Sequence, residues 1–258
     1  MEVQMKTQAK RVNGTGLLFI MIILVAGRPI MAQEKWSLDM ETGLVFSGYN
    51  NVGIPGDTGT RFSLSKDLDA KSSLFVRLRL GYQLGARHNI SLFIAPLSLE
   101  AEGSINKTIR FFGEEFAPGL PLKAGYRFNS YRLTYRFDLI RSERWTVGVG
   151  LTAKIRDAAI SLEGGGKKAE KTNVGFVPLI HFRVEWRFSP KWGLLLDGDA
   201  LAAPQGRAED LLLGLEYLAG KNLTVKAGFR FVEGGADNDT VYNFALINFL
   251  VIGAILRF

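Results

Sequence analysis

The chain has 258 residues, no cysteine, two histidines and a formal charge of +7 at pH 7. That length suits one sizeable domain, and the lack of cysteine excludes disulfides, thiol nucleophiles and zinc–cysteine sites. With only His88 and His181 as imidazoles, most multi-histidine metal centres are excluded too, and neither a metal nor another cofactor is called for.

The first element is a leader. Lys6, Lys10 and Arg11 precede the apolar run GLLFIMIILVAG, which is shorter than the roughly 20 residues of a spanning helix. A basic segment, an apolar segment and then RPIMAQ, with small Ala32, is the pattern of a secretory signal peptide spanning 1–32. The exported chain is then a single domain, 33–258. No cysteine follows the run, so a lipid-anchored N-terminus is excluded.

From Trp36 onward the period is two, as in a strand with one apolar face. Trp36, Leu38, Met40, Thr42, Leu44 and Phe46 alternate with Ser37, Asp39, Glu41, Gly43 and Ser47. Leu74, Val76, Leu78, Leu80 and Tyr82 then alternate with Phe75, Arg77, Arg79, Gly81 and Gln83. In the third run Ile90, Leu92 and Ile94 give way to Leu97 and Leu99, a change of parity that predicts a β-bulge at Pro96. Tyr131, Leu133, Tyr135 and Phe137 set against Arg132 and Arg136 make a fourth, and Trp145 to Ile155 against Lys154 and Arg156 a fifth. Phe176, Ile180, Phe182, Val184 and Trp186 oppose His181, Arg183, Glu185 and Arg187 in a sixth. Further runs start at Trp192, Asp210, Leu223 and Tyr242, which predicts about ten strands, with eight or twelve as the alternatives.

Connector lengths alternate. The links at GARHN, LIRSER, SPK and AGKN are short, whereas 50–71, 103–120, 164–172, APQGRAE and EGGADND read as longer loops. Antiparallel strands joined by short turns at one end and longer loops at the other are expected of a transmembrane β-barrel, with both termini periplasmic.

Period alone does not say which face is outside. Trp36, Tyr82, Trp145, Trp186, Phe188, Trp192, Tyr217 and Phe258 all fall at strand ends beside short turns, as an interfacial girdle requires. The polar face carries Asp39, Glu41, Glu185, Asp197, Asp199, Asp210 and Glu216 against Arg77, Arg79, Arg132, Arg136, Lys154, Arg156, Arg183, Arg187, Lys226, Arg230 and Arg257. With His181, these form a candidate ion network inside the barrel. The last run alternates through Leu250, Ile252, Ala254 and Leu256 to the aromatic Phe258.

Over residues 35–258 these features resemble the small outer-membrane β-barrel superfamily of diderm bacteria. The resemblance implies a closed, all-β antiparallel transmembrane barrel in the outer membrane, among lipids and lipopolysaccharide. It also implies that the barrel-assembly machinery reads the last strand as an insertion signal. The superfamily hosts many functions on one shape.

No catalytic residue is assigned. Omptin-type proteases place acidic pairs and a histidine near the outer rim; the loop supplies Asp237 and Asp239, but His88 falls at a short turn and His181 in mid-strand. Lipid-modifying barrels need a base within reach of its nucleophile, and His181 has no neighbouring serine on its face. A second set of inward positions is apolar: Val177, Leu179, Leu195, Leu201, Leu212, Ile247, Phe249, Val251 and Ile255. These predict either plain core filling or a pocket for a small hydrophobic molecule, greasy above and charged below. Lys167, Lys168 and Lys171 in GGGKKAEK suit lipopolysaccharide phosphates or a solvated loop equally; nucleic acid has no place in this compartment. Two readings of function therefore stand: a non-enzymatic barrel with a structural or interaction role, and a passive channel or binding pocket for small hydrophobic molecules. A lipid-modifying or omptin-like enzyme is a third.

Overall fold

The computed structural model describes residues 35–204 and 206–258; the leader lies outside the described residues. The strands are β1 (Trp36–Gly53), β2 (Phe62–Ser63), β3 (Asp69–Ala70), β4 (Ser73–Gln83), β5 (His88–Ala95), β6 (Ser98–Ser104), β7 (Ile109–Phe111) and β8 (Glu114–Phe116). They continue as β9 (Pro121–Arg141), β10 (Trp145–Gly164), β11 (Lys167–Arg187), β12 (Trp192–Ala203), β13 (Gly206–Leu218), β14 (Leu223–Asn238) and β15 (Val241–Arg257).

Ten antiparallel wall strands close the barrel, β5 and β6 counting as one, because β15 pairs with β1. The seam is sealed to its end: Trp36 N–H donates to Phe258 O at 2.9 Å, and Phe258 N–H returns to Trp36 O at 3.0 Å. Closure leaves no unpaired edge at the seam, which hydrocarbon would not tolerate.

The apolar face of the turn-end half points out. Leu44, Leu78, Leu92, Leu133, Leu151, Ile180, Leu213, Phe229 and Ile252 are exposed on the barrel wall. Trp145 stacks on Trp186 with centroids 5.5 Å apart, and Trp36 packs tilted against Tyr82 and Trp192 against Tyr217 at 4.6 and 4.8 Å, ringing the turn end as the sequence predicts. The upper edge of this belt follows Ile94, Tyr131, Ile155 and Phe176, which are successive ladder partners on four wall strands.

Beyond that line the two faces exchange character. Outward positions become Ser98, Glu100, Lys123, Arg127, Asp157, Glu163, Lys168 and Glu170, while Leu97, Leu99, Leu122, Tyr126, Ile160 and Leu162 are buried inside. This corrects the bulge predicted at Pro96. The pairing of β5 with β9 ends at Ala95 and Ser130, and that of β6 with β9 resumes at Ser98 and Arg127, in unbroken register. The chain never changes parity there; the apolar residues move from the lipid side to the inside. Proline merely removes one ladder donor. Bulges occur instead at Gly48 in β1 and at Leu139 in β9.

The long connectors are also fewer than the sequence suggests. Residues 164–172 are mostly strand, joined by Gly165 and Gly166 at φ 57° and 77°, the two left-handed residues of a type I′ hairpin. A turn of two residues likewise ends the β14–β15 hairpin, and β12 and β13 stay paired out to Ala203 and Gly206. Only 54–72 and 105–120 are long, and both fold inward: Phe62, Leu64, Leu68, Ile105, Ile109, Phe111 and Phe116 join one buried cluster with the upper inner wall. Each such side chain contributes about 1.5–3 kcal/mol on burial. Connector 54–72 also lays β2 on β1 and β3 on β6, filling the wall above the short β4.

β9, β10 and β11 have 21, 20 and 21 residues, about twice the 9–11 that cross a bilayer, so their upper halves stand in water. Leu151→Lys, at a site two-thirds exposed in mid-belt, should therefore cost about 2–4 kcal/mol in denaturant unfolding from lipid vesicles. Thr172→Lys, on the polar collar, should leave the unfolding midpoint where it is.

Candidate functional site

Every inward position of the membrane half that is neither glycine nor apolar must find its partner inside, since an unpaired buried charge is costly. The wall order sets who meets whom. Arg79 of β4 stands five strands from Asp197 of β12, so the two are diametrically opposed; Nη1 and Nη2 both donate to Asp197 Oδ1 at 3.0 Å. Arg183 Nη1 holds the other oxygen at 3.1 Å.

One level on, Arg132 of β9 bridges two carboxylates, 2.6 Å to Asp199 and 2.5 Å to Asp210. Arg77 shares that Asp210 oxygen and Arg230 holds the other, each at 2.5 Å. Arg230 continues to Glu41 at 2.9 Å, and Lys226 joins Glu41 and Asp39, both at 2.7 Å. Arg77 Nε lies 3.7 Å from Glu41. Nearer the turns, Arg187 pairs with Glu185 at 2.7 Å. The ring of Phe93 sits among the guanidinium groups of Arg77, Arg132 and Arg79, 4.9, 4.9 and 5.2 Å from its centroid. Glu216 is the loosest member: it is fully buried, its carboxylate has no hydrogen bond, and its nearest cation is Arg183 at 3.7 Å.

The structure divides the sequence-derived set. Asp39, Glu41, Arg77, Arg132, Asp199, Asp210, Lys226 and Arg230 form one ion-paired group, and Arg79, Arg183, Glu185, Arg187, Asp197 and Glu216 a second; the two meet at the ring of Phe93. Arg136 pairs instead with Asp138 at 2.8 Å, a buried acid that sequence reading passes over; it continues the inward parity of Arg132, Thr134 and Arg136, and the bulge at Leu139 comes after it. Arg257 donates to Thr224 Oγ1 at 2.9 Å rather than to a carboxylate. Lys154 and Arg156 also stand apart: no carboxylate lies within 4 Å of either among the described residues. Lys154 faces the ring of Phe128 at 4.8 Å, and Arg156 donates to Asn173.

His181 Nδ1 is 3.0 Å from Asp199 Oδ1, which also accepts from Thr152 Oγ1 at 2.7 Å. The hydroxyl thus bonds the acid and not the imidazole, so this trio lacks the hydroxyl-to-imidazole bond by which a base activates its nucleophile. His88 pairs with Tyr135 at the turn end, while Asp237 and Asp239 belong to the tip of the β14–β15 hairpin, at the other end.

Of the apolar inward residues, Leu195, Leu212, Ile247, Phe249 and Val251 pack into the buried cluster, with Leu179 and Ile255 also buried. Leu195 and Val251 are interleaved with the charged level, Leu195 lying two residues from Asp197, so the greasy half does not sit cleanly above the charged one. Val177 and Leu201 remain half-exposed. The final-strand residues Leu250, Ile252, Leu256 and Phe258 face outward, and Ala254 shares their parity.

Two cavities flank the network. One of about 310 Å³ opens at the turn end among polar side chains including Arg136, Asp138 and Arg187. The other, about 240 Å³, lies toward the loop end and includes Phe128, Lys154, Arg156 and Val177 in its walls.

No protein-family model matches the sequence, and no curated protein matches it. Among solved structures, the outer membrane protease OmpT from Escherichia coli is similar at a TM-score of 0.56 and 10% identity, over 87% of this chain and 97% of that one. Ail of Yersinia pestis is similar at 0.41 and 12%, over 87% and 99%, and Neisserial surface protein A at 0.36 and 12%, over 86% and 97%. The fold is that of the bacterial outer-membrane β-barrels: a closed ten-stranded antiparallel barrel with an apolar outer face and ion pairs inside.

Removing one partner of a buried pair costs about 3–5 kcal/mol. Arg132→Ala should therefore unfold the barrel at markedly lower denaturant than the native chain in lipid vesicles, and Arg183→Ala likewise. Lys168→Ala, on the exposed hairpin, should leave the midpoint unchanged.

Proposed function

We propose that this chain serves as a closed, non-conducting barrel of the bacterial outer membrane, with a structural or interaction role rather than an enzymatic one. The observation that carries this reading is the Arg79–Asp197 pair, which crosses the full width of the lumen. Solute moving along the axis would have to break it, then pass the infolded 54–72 and 105–120 connectors. In a barrel of ten strands the interior is narrow enough for side chains to fill.

Both termini lie on the periplasmic side in this reading, with the polar collar and the long connectors outside. The collar's Lys123, Arg127 and Lys168 then face outward at the level of lipopolysaccharide phosphates, and the assembly machinery engages the outward face of β15. The same cavity that holds Lys154 favours the second reading, a pocket for small hydrophobic molecules, without requiring a continuous channel.

Purified protein in planar bilayers should show no steady stepwise conductance; a stable open level in the native chain would overturn the proposal. Orientation is directly readable because the native chain has no cysteine. Lys168→Cys should react with a membrane-impermeant maleimide on intact cells, and Lys221→Cys, in a short turn, should not.

A further inference from the structure

The barrel wall has two short stretches. Above β4 the gap is filled by the chain's own connector, through β2 and β3. The other is between β11 and β12. Their ladder stops at Ile180 and Ala200, although β11 runs on to Lys167, and β12 ends only three residues later at Ala203. No strand pairs with that edge of β11 above Ile180 among the described residues, and Pro178, without an N–H, stands where the pairing ends.

The notch lies at the lipid boundary. Val174 and Phe176, on the outer face of β11 beside it, are 70% and 64% exposed, and the polar collar begins at Thr172. An open edge at membrane depth is tolerated only where protein or a cavity backs it, and the 240 Å³ cavity does so, with Val177 of β11 in its wall.

The cavity is amphiphilic. Phe128, Ile160, Val177 and Ile247 supply apolar walls. Lys154 and Arg156 supply cations, and both lack a carboxylate within 4 Å among the described residues, Asp199 and Asp210 being held by Arg132, Arg77 and Arg230. Lys154 is 97% buried, with no hydrogen bond to its ammonium group among the described residues. Arg156 keeps a buried, unbonded Nε. The carboxylates in the same lining are Glu209 and Glu233, both on the outward parity of their strands, and Glu233 is held by Arg207 and Tyr49. A buried ammonium group without a counter-ion is costly, and an anion brought in with an apolar tail would satisfy it.

The geometry points to a binding site for a single-chain anionic amphiphile, such as a fatty-acid carboxylate. The ligand enters from the lipid through the β11–β12 notch, with its head on Lys154 and Arg156 and its tail against Val177 and Phe128. The volume equals about eight waters at roughly 30 Å³ each, enough for the head and the first part of a chain whose remainder stays in the notch. This inference stands whether or not the barrel conducts.

Decanoate and decanol share a tail and differ in the head. Titrated into the full chain in lipid nanodiscs, decanoate should bind saturably at one site, about tenfold or more tighter than decanol, the scale of one charge-assisted hydrogen bond. Lys154→Met should abolish that preference while leaving decanol binding as it was. Val177→Trp, which touches none of the ion pairs and fills the notch, should weaken both. Heat-dependent gel mobility reports that each variant still folds. Equal binding of the two probes would overturn the inference, as would a Val177→Trp variant that folds and binds like the native chain. Displacement of decanoate by inorganic phosphate at equal concentration would overturn it as well, by showing a plain anion site.

Discussion

Everything in this structure follows from one requirement: within hydrocarbon each backbone N–H and C=O must be paired inside the protein. Strands meet it only by closing, and the reciprocal bonds between Trp36 and Phe258 carry the closure to the last residue pair. Once the ladder is a ring, the outward face has no choice but to be apolar, and polar side chains are confined to a narrow interior without bulk water. There they cannot stay solvated, so most of the arginines take a carboxylate, often from a distant strand. The ion network is a consequence of closure and not an independent feature.

The same ring also leaves the bilayer. Strands about twice the length needed to span it carry the wall into water, where the stable arrangement is the ordinary one of apolar inside and polar outside. The chain accomplishes the exchange without shifting register. Along β5 and β6 the odd positions point inward throughout, bearing Ser91 and Phe93 below and Leu97, Leu99 and Ala101 above. Along β9 the change runs from Arg132 to Tyr126, and along β10 from Lys154 to Ile160. The line where this happens marks the membrane boundary from within, and the two infolded connectors then close over a core of the kind found in soluble barrels.

Periodicity and strand-end aromatics made the barrel, its strand number and its lipid face legible in the sequence. The exchange of faces was not, because an alternating pattern that swaps its apolar parity looks the same whether the backbone slips or the solvent changes; at Pro96 the solvent changes. Loop lengths were overestimated for a related reason: GGGKKAEK and EGGADND are polar and glycine-rich, as loops are, but they are hairpin strands standing in water. In the interior, the signs of the charges predicted a network and most of its members, but not which cations stand apart from it. Lys154, Arg156 and Arg257 have the right parity and wrong neighbours. Asp138 shares the inward parity of Arg132 and Arg136 and stands one step beyond the end of the alternating run legible in the sequence.

The pairs across the lumen do more than neutralise charge. A slip of one residue between β1 and β4 would turn Arg77 and Arg79 toward the acyl chains and bring Leu78 and Leu80 inside, since successive side chains point to opposite faces. A slip of two residues would restore the faces, and apolar matching would barely resist it, lipid being indifferent to which leucine it touches. The Arg79–Asp197 and Arg132–Asp199 bonds would resist it, because each would be drawn apart along the strands by about 6–7 Å at 3.3 Å per residue, leaving charges buried and alone. Buried ion pairs are weak evidence for net stability; in a wall whose outer face cannot discriminate one register from the next, they are what fixes it.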